Sequence, residues 1–208
     1  MNPKKPSKER TSSTGSSSGR AALPRLPHQL RIIGGRWRGT KLHFPAVEAI
    51  RPTPDRVRET LFNWLAPTIG GARCLDLFAG SGALGLEALS RGAREVVFVD
   101  RDARVGAYLR ETLVRLKSGA GKVLVGDAQR CLDEVPGPFD VVFLDPPFGA
   151  GMLPPLLAEL AAVGKLSPGA FVYIETGAEA GEPVLPSGWA LNRAGQAGKV
   201  GYHLARTI

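Results

Sequence analysis

The chain has 208 residues, and none of its apolar runs approaches the roughly 20 residues needed to cross a bilayer, which excludes a membrane-spanning protein. This length fits one globular domain with an extension, which we expect to be a monomer. The net charge of +8 is unevenly distributed: residues 1–65 hold 13 Lys and Arg against four acids, and residues 66–208 hold 14 against 15. A basic first third suits binding to a polyanion, although a basic tail can also serve solubility alone.

The chain has two cysteines, Cys74 and Cys131, which are far apart and lie in apolar contexts. This spacing gives no support for a disulfide framework or a zinc site, and we expect no bound metal. Buried, unpaired thiols are typical of a reducing compartment, so we expect a cytoplasmic protein.

Residues 1–27 are rich in Ser, Gly, Pro, Lys and Arg and have almost nothing apolar to bury. We expect a disordered basic arm, since the segment lacks both a secretory apolar region and the amphipathic pattern of a transit peptide. The folded domain is predicted over residues 28–208. It opens with two short strand-like runs, "QLRIIGG" and "TKLHF", which predict a small N-terminal β-hairpin appendage, assigned with its linker to residues 28–53.

The stretch "RPTPDRVRETLFNWL" predicts a helix, with Thr53 as its cap and Pro54 at its first position. Its apolar residues recur at helical spacing and mark a buried face. The other face is expected to present Arg56 and Arg58.

From Gly70 onward, strand-like and helix-like segments alternate regularly. The strands are continuous apolar runs, which is typical of parallel strands covered by helices on both faces. The last two of seven strand candidates, near 189–192 and in "KVGYHLAR", have no helix-length segment between them. The pattern therefore predicts an α/β protein with a doubly wound, mostly parallel seven-stranded sheet that closes with an antiparallel hairpin.

The stretch "DLFAGSGALG" follows the first core strand and opens a helix, so its glycines allow a ligand to approach the backbone. Gly80, Gly82 and Gly85 form G-x-G-x-x-G, which fits a dinucleotide as well as any other nucleoside ligand. The next strand ends in Asp100, placed to hold a ribose hydroxyl or, alternatively, only to open a helix. Asp76, before the glycines, could face a cationic amino-acid and sulfonium group, and Asp127 could accept from an adenine amine. Together with the closing hairpin, these two acids favour S-adenosylmethionine over a nicotinamide cofactor.

The run "VVFLDPPFGAG" ends a buried strand in an acid, two prolines and an aromatic residue. An exocyclic amine of a nucleobase is a poor nucleophile until its hydrogens are held. The Asp145 carboxylate and the Pro146 carbonyl could each accept one N–H, Pro147 would stiffen the corner, and Phe148 could stack on the base. The alternative is a plain turn, which is less expected at the carboxyl end of a central strand.

"DLFAGSGALGLEALSRGA" and "FLDPPF" resemble the donor-binding and amine-binding motifs of amino-methyltransferases. With "RIIGGRWRGTKL" and "RPTPDRVRETLFNWL", the chain from about residue 30 to 206 is similar to the bacterial family that methylates guanine N2 in 16S ribosomal RNA. The resemblance implies a Rossmann-like class I methyltransferase fold. It implies a donor site at Asp76, Phe78, Ala79, Gly80, Ser81, Gly82, Asp100, Arg101, Asp127 and Ala128. It implies a catalytic corner at Asp145, Pro146, Pro147 and Phe148. The expected RNA-binding residues are Arg31, Arg36, Trp37, Arg38, Lys41, Arg51, Arg56 and Arg58.

The leading hypothesis is methyl transfer from S-adenosylmethionine to guanine N2 of 16S ribosomal RNA, within an assembled or partly assembled small subunit. A DNA adenine-N6 methyltransferase would share both motifs, yet no region for reading duplex bases is apparent. A nicotinamide-dependent oxidoreductase or a non-catalytic nucleotide-binding module would leave the strand-end acid and prolines without a task.

Overall fold

A computed structural model describes Met1 and residues 28–45, 53–149 and 151–208. Arg51 and the serine-rich arm from Asn2 onward lie outside these ranges, so what the sequence predicts for them stays a prediction. Among the described residues, no helix is both long and apolar enough to span a membrane.

The chain first forms a small antiparallel sheet of two strands, β1 (His28–Arg31) and β2 (Lys41–Phe44), connected through a short 3₁₀ turn at Gly35–Trp37. Burial alternates along β2, where Leu42 and Phe44 are buried and their neighbours are exposed. One face of the hairpin therefore packs against the domain, which confirms the predicted appendage.

The main sheet has seven strands: β3 (Arg73–Asp76), β4 (Glu95–Asp100), β5 (Gly121–Val125), β6 (Phe139–Leu144), β7 (Leu166–Gly177), β8 (Trp189–Ala197) and β9 (Val200–Thr207). Their order across the sheet is β5-β4-β3-β6-β7-β9-β8. The first five are parallel, β9 runs antiparallel to β7, and β8 runs antiparallel to β9. The predicted doubly wound sheet and its closing hairpin are confirmed.

In the described part of the chain, six α-helices connect or flank these strands: α1 (Asp55–Trp64), α2 (Ala66–Ile69), α3 (Ala83–Ser90), α4 (Ala103–Arg115), α5 (Ala128–Glu134) and α6 (Leu153–Ala162). The core has two parts, one on each face of the sheet. Residues of α1, α3 and α4 pack on one face, and residues of α5 and α6 pack on the other. The central strands are buried on both faces, which is why they read as uninterrupted apolar runs.

The start of α1 differs from the prediction. Pro54, not Thr53, precedes the first helical residue, and no side chain caps this end. The Thr53 hydroxyl instead donates to Glu175 Oε1 at 2.8 Å, across 122 residues of sequence. From the local sequence, the Thr53 hydroxyl is expected to cap the helix. In the structure it donates to the buried Glu175 carboxylate, which is a stronger acceptor because it can carry a charge.

Candidate active site

The turn between β3 and α3 lies at the carboxyl edge of the sheet, where the strand order reverses between β3 and β6. Gly80 and Gly82 have φ angles of 49° and 76°, a conformation that favours glycine. A Cβ on Gly82 would lie 2.7 Å from the Leu109 side chain. Gly85 has another task, because a Cβ there would lie 2.2 Å from the Phe98 ring, so this glycine lets α3 pack closely on β4.

Two strand-end carboxylates hold this turn in place. Asp76 Oδ2 accepts from the Gly85 N–H at 3.0 Å, and Asp100 Oδ2 accepts from the Gly80 N–H at 2.8 Å. Asp100 Oδ1 also accepts from the Asp102 N–H at 2.8 Å. Asp76 is only 3% exposed, and this burial raises its pKa to about 7. A cation bound beside Asp76 would therefore be stabilised by a carboxylate that is otherwise costly to ionise.

The other predicted donor-site residues lie along the same edge but differ in exposure. Ala79, Ser81 and Ala128 are buried, Phe78 is partly buried, and Arg101 is exposed.

Asp127 caps helix α5, in addition to the contact with adenine that was expected of it. Its Oδ1 accepts from the backbone N–H groups of Gln129 at 3.0 Å and Arg130 at 3.4 Å. Asp127 is exposed, and Oδ2 takes part in no hydrogen bond between described residues, so this oxygen can still accept from a ligand.

The Asp-Pro-Pro-Phe corner directly follows β6, next to the glycine turn. Within the described ranges, the Asp145 carboxylate has neither a hydrogen bond nor an ion pair, in contrast to Asp76 and Asp100. Burial, and after it the nearby carboxylates of Glu175 and Asp76, raise the pKa of Asp145 well above its ordinary value. An acid kept here without a donor partner is ready to accept hydrogens from a ligand.

The rest of the corner suits a flat ligand. Pro146 is buried, and its carbonyl accepts no hydrogen bond from a described residue. Pro147 is exposed, and Phe148 exposes 49% of its surface, which is unusual for so apolar a side chain. Two free acceptors beside an accessible aromatic ring are what an amine on a planar ring needs.

Sequence reasoning missed a further acid at this edge, Glu175 on β7. It is 3% exposed, and its Oε1 accepts from the hydroxyls of Thr53 and Tyr173, at 2.8 and 2.9 Å. Burial raises its pKa, and the two hydroxyl hydrogen bonds oppose the rise. A charged residue near the end of the buried run "AFVYIET" was the signal that could have found it.

The appendage is fastened to α3, the helix that the glycine turn opens. Glu87 on α3 is fully buried and accepts from the backbone N–H groups of Ile33 at 2.8 Å and Gly34 at 2.7 Å. Ser90 Oγ accepts from the Trp37 N–H at 2.9 Å and donates to the Gly34 carbonyl. An acid within the mainly apolar run "ALGLEAL" was the sequence signal for this contact.

The predicted RNA-binding residues divide into exposed and buried ones. Arg36, Arg38, Lys41 and Arg56 are exposed and form no ion pair with any residue in the described ranges. Arg31 is exposed and lies 3.3 Å from Asp55. Trp37 is half-buried and packs partly against the core.

For Arg58 the prediction was wrong. Its side chain is 1% exposed, and its guanidinium contacts Asp55, Glu87 and the backbone carbonyls of Thr53 and Arg31. It cannot reach a phosphate, because its charge is already used to join α1, α3 and the hairpin. The helical spacing places Arg58 one turn from Asp55, but it does not show that the appendage covers this face.

Comparison with known proteins agrees with this architecture. The model of the family described as Conserved hypothetical protein 95 matches residues 30–206. The chain is 48% identical to Ribosomal RNA small subunit methyltransferase D of Escherichia coli K12, over 85% of this chain and 89% of that protein. The chain belongs to this methyltransferase family.

Other proteins similar to this chain match it over nearly the full folded domain. The namesake protein of Haemophilus influenzae is 43% identical, over 87% of this chain and 95% of that one. A solved structure of the Escherichia coli methyltransferase yhhF is 46% identical and covers 86% of this chain and 98% of its own, with a TM-score of 0.81. The family assignment therefore covers both the hairpin and the main sheet.

The described residues fit S-adenosylmethionine, the donor that the family implies. The positive-φ glycines bring backbone to the carboxyl edge of the sheet. Asp76 could face the cationic amino-acid and sulfonium group, and Asp145 lies at the end of the neighbouring strand. Asp100 ends β4 and Asp127 follows β5, where they could accept from a ribose and an adenine. These acids would repel the negative charge of a pyrophosphate, which argues against a dinucleotide.

Proposed function

We propose that the protein transfers a methyl group from S-adenosylmethionine to the exocyclic N2 amine of a guanine in 16S ribosomal RNA, within an assembled or partly assembled small subunit. The coarser part, methylation of ribosomal RNA with this donor, is supported by the names of the relatives at 43% and 48% identity. The finer part rests on the corner at Asp145.

The observation that carries the proposal is the pair of unoccupied acceptors beside an exposed ring. The Asp145 carboxylate and the Pro146 carbonyl have no donors among the described residues, and Phe148 is half exposed next to them. Each acceptor can take one N–H of an amine, and Phe148 can stack on the ring that carries it. Held in this way, the nitrogen directs its lone pair toward the glycine turn.

S-adenosylmethionine supplies a methyl group on a positively charged sulfur, which leaves as a neutral thioether. As the N–C bond forms, the amine gains positive charge, and Asp145 stabilises that charge by electrostatics. Its raised pKa makes the ionised carboxylate a better proton acceptor than an ordinary aspartate, so it can take the proton that the amine must lose.

The exposed cations of the hairpin suit the RNA side of the reaction. Arg36, Arg38 and Lys41 project from the appendage that Glu87 fastens to α3. Phosphate contacts of this kind orient a substrate without reading its sequence. The choice of base would then depend on the corner itself and on the shape of the subunit.

Mapping of methylated nucleosides tests the proposal. The protein is incubated with labelled donor and with undermethylated small subunits, and the RNA is digested for mass spectrometry. N2-methylguanosine at one site of 16S RNA is the expected product, and the Asp145→Ala variant should not form it. Label in N6-methyladenine of added duplex DNA, with none in the RNA, would instead support a DNA adenine methyltransferase.

A further inference from the structure

Glu175 has one oxygen that its surroundings use and one that they leave open. Both hydrogen bonds, from Thr53 and from Tyr173, are made to Oε1. Oε2 has no hydrogen-bond partner among the described residues. It is not fully enclosed by the protein, so solvent reaches it. The Glu175 side chain is 97% buried, yet one of its carboxylate oxygens can still accept a hydrogen bond from a ligand.

The corner at Asp145 lies beside this carboxylate. Leu144 and Ile174 are paired across β6 and β7, so the residues that follow them, Asp145 and Glu175, are lateral neighbours. Neighbouring strands lie about 4.8 Å apart. The proximity also shows in the pKa of Asp145, which the Glu175 carboxylate helps to raise.

Resting on the proposed function, we propose that Glu175 is the specificity-determining residue that selects guanine, by accepting the ring N1–H with Oε2 while Asp145 and Pro146 hold the N2 amine. In guanine the N1–H and the N2 amine are adjacent donors that point the same way along one edge of the ring. Two acceptors side by side on neighbouring strands match two adjacent donors.

The same arrangement rejects adenine. An adenine placed with its amine at Asp145 would direct the lone pair of its unprotonated N1 at the Glu175 carboxylate. This loses a charged hydrogen bond and adds repulsion between two acceptors in a poorly solvated place. The fixed position of Oε1 prevents Glu175 from simply turning away, because Thr53 and Tyr173 both hold it.

The test uses three bases at the guanine that nucleoside mapping identifies, introduced into 16S RNA by ligation and assembled into small subunits. 2-Aminopurine keeps the amine but has no N1–H. 6-Thioguanine keeps both the amine and the N1–H but lacks the 6-oxygen. Methylation rates are measured for the wild type, for Glu175→Gln and for Glu179→Gln, whose exposed acid lies just beyond β7.

For the wild type we expect 6-thioguanine to react within a few-fold of guanine, and 2-aminopurine about 100-fold more slowly. Glu175→Gln should lose most of its guanine rate and should no longer prefer guanine to 2-aminopurine, because the amide NH2 at the position of Oε2 donates to an unprotonated N1 and cannot accept an N1–H. Glu179→Gln should behave as the wild type.

Equal wild-type rates on guanine and 2-aminopurine would overturn the role of Glu175 and leave the proposed function standing. This comparison uses only the wild type, so it remains informative even if Glu175→Gln does not fold. No methylation of guanine by the wild type would instead contradict the proposed function. Calorimetry with S-adenosylhomocysteine adds a separate check: a loss of donor binding in Glu175→Gln as large as its loss of guanine methylation would assign the carboxylate to the donor and sink the inference.

Discussion

Arg58 and Glu87 form an ion pair in which both side chains are inaccessible, 1% and 0% exposed, with 3.5 Å between Nη1 and Oε2. The pair joins α1 to α3, and the remaining contacts of Glu87 hold the hairpin. The same side chain therefore connects α3, the helix that follows the glycine turn, with the segment that carries Arg36 and Arg38.

Replacement of Glu87 by Ala should destabilise the protein by about 3 to 5 kcal/mol, because the Arg58 charge and two backbone N–H groups would lose a buried partner. Chemical denaturation measures the change, and hydrogen exchange should show lost protection at Ile33 and Gly34. Glu59→Ala, at an exposed position on α1, serves as the control and should change stability by less than about 0.5 kcal/mol. A hairpin that stays protected in Glu87→Ala would contradict the fastening role.

Replacement of Asp145 by Ala should lower turnover on small subunits by at least about 100-fold, because one of the two acceptors for the amine is lost. Affinity for S-adenosylhomocysteine, measured by calorimetry, should change little. Asp133→Ala, at an exposed position of α5, should leave both quantities unchanged. Wild-type turnover in Asp145→Ala would remove the carboxylate from the reaction.

Replacement of Phe148 by Ala should raise the KM for the RNA substrate by about 5- to 150-fold, which corresponds to the roughly 1 to 3 kcal/mol that stacking of a base on an aromatic ring contributes. Phe148→Tyr should retain most of the affinity, since the ring is kept. Donor affinity should be unchanged in both variants, and an equal loss of RNA and donor binding in Phe148→Ala would mean that the ring is only structural.

The buried carboxyl of Asp76 should make stability depend on pH. Its folded-state pKa of about 7 lies above the ordinary value of 3.8, so the folded chain holds this proton more tightly than the unfolded chain. The resulting stability is complete below pH 3.8 and is lost as the pH rises to about 7. Asp76→Asn should remove this dependence. Relative to the wild type, the free energy of unfolding of the variant should therefore increase by up to about 4 kcal/mol as the pH rises from 4 to 8. Unfolding curves at several pH values measure the difference.

Donor binding should show the opposite trend with pH. A cationic donor favours the ionised form of Asp76, so the affinity for S-adenosylmethionine should rise as the pH increases through about 7. The pH dependence should be weaker for S-adenosylhomocysteine, which lacks the sulfonium charge, and should largely disappear in Asp76→Asn. A wild-type affinity that does not vary with pH would contradict the placement of the cation beside Asp76.

Neutralising Arg36 and Arg38 together, with Gln at both positions, should reduce the slope of log affinity against log salt concentration by roughly one to two, since each phosphate contact releases counterions. Filter binding to small-subunit RNA over a range of salt measures the slope. Arg104→Gln and Arg130→Gln are matched controls, because both arginines are exposed but pair with acids. An unchanged slope in the first variant would remove the hairpin from the RNA footprint.

The architecture and the positions of the strand-end acids follow from the amino-acid sequence alone. Apolar runs that alternate with helical segments can be buried only as parallel strands between helices, so Asp76, Asp100 and Asp145 had to follow core strands. The carboxyl ends of parallel strands meet at one edge of a sheet. For this reason the sequence places the glycine turn and the Asp-Pro-Pro-Phe corner at the same edge, and the pairing of β3 with β6 in the structure makes them neighbours.

The pairing of charged and polar groups, in contrast, depends on tertiary packing. Periodicity placed Arg58 on a surface face and local chemistry made Thr53 a cap. Each side chain also has a partner far away in sequence, Glu87 on α3 for Arg58 and Glu175 on β7 for Thr53. The partners of Glu87 and Glu175 could not be predicted from the neighbouring residues, because an acid within an apolar segment looks the same in sequence whichever groups it contacts. A buried charge takes the partners that packing brings to it, and packing joins residues that no spacing along the chain connects.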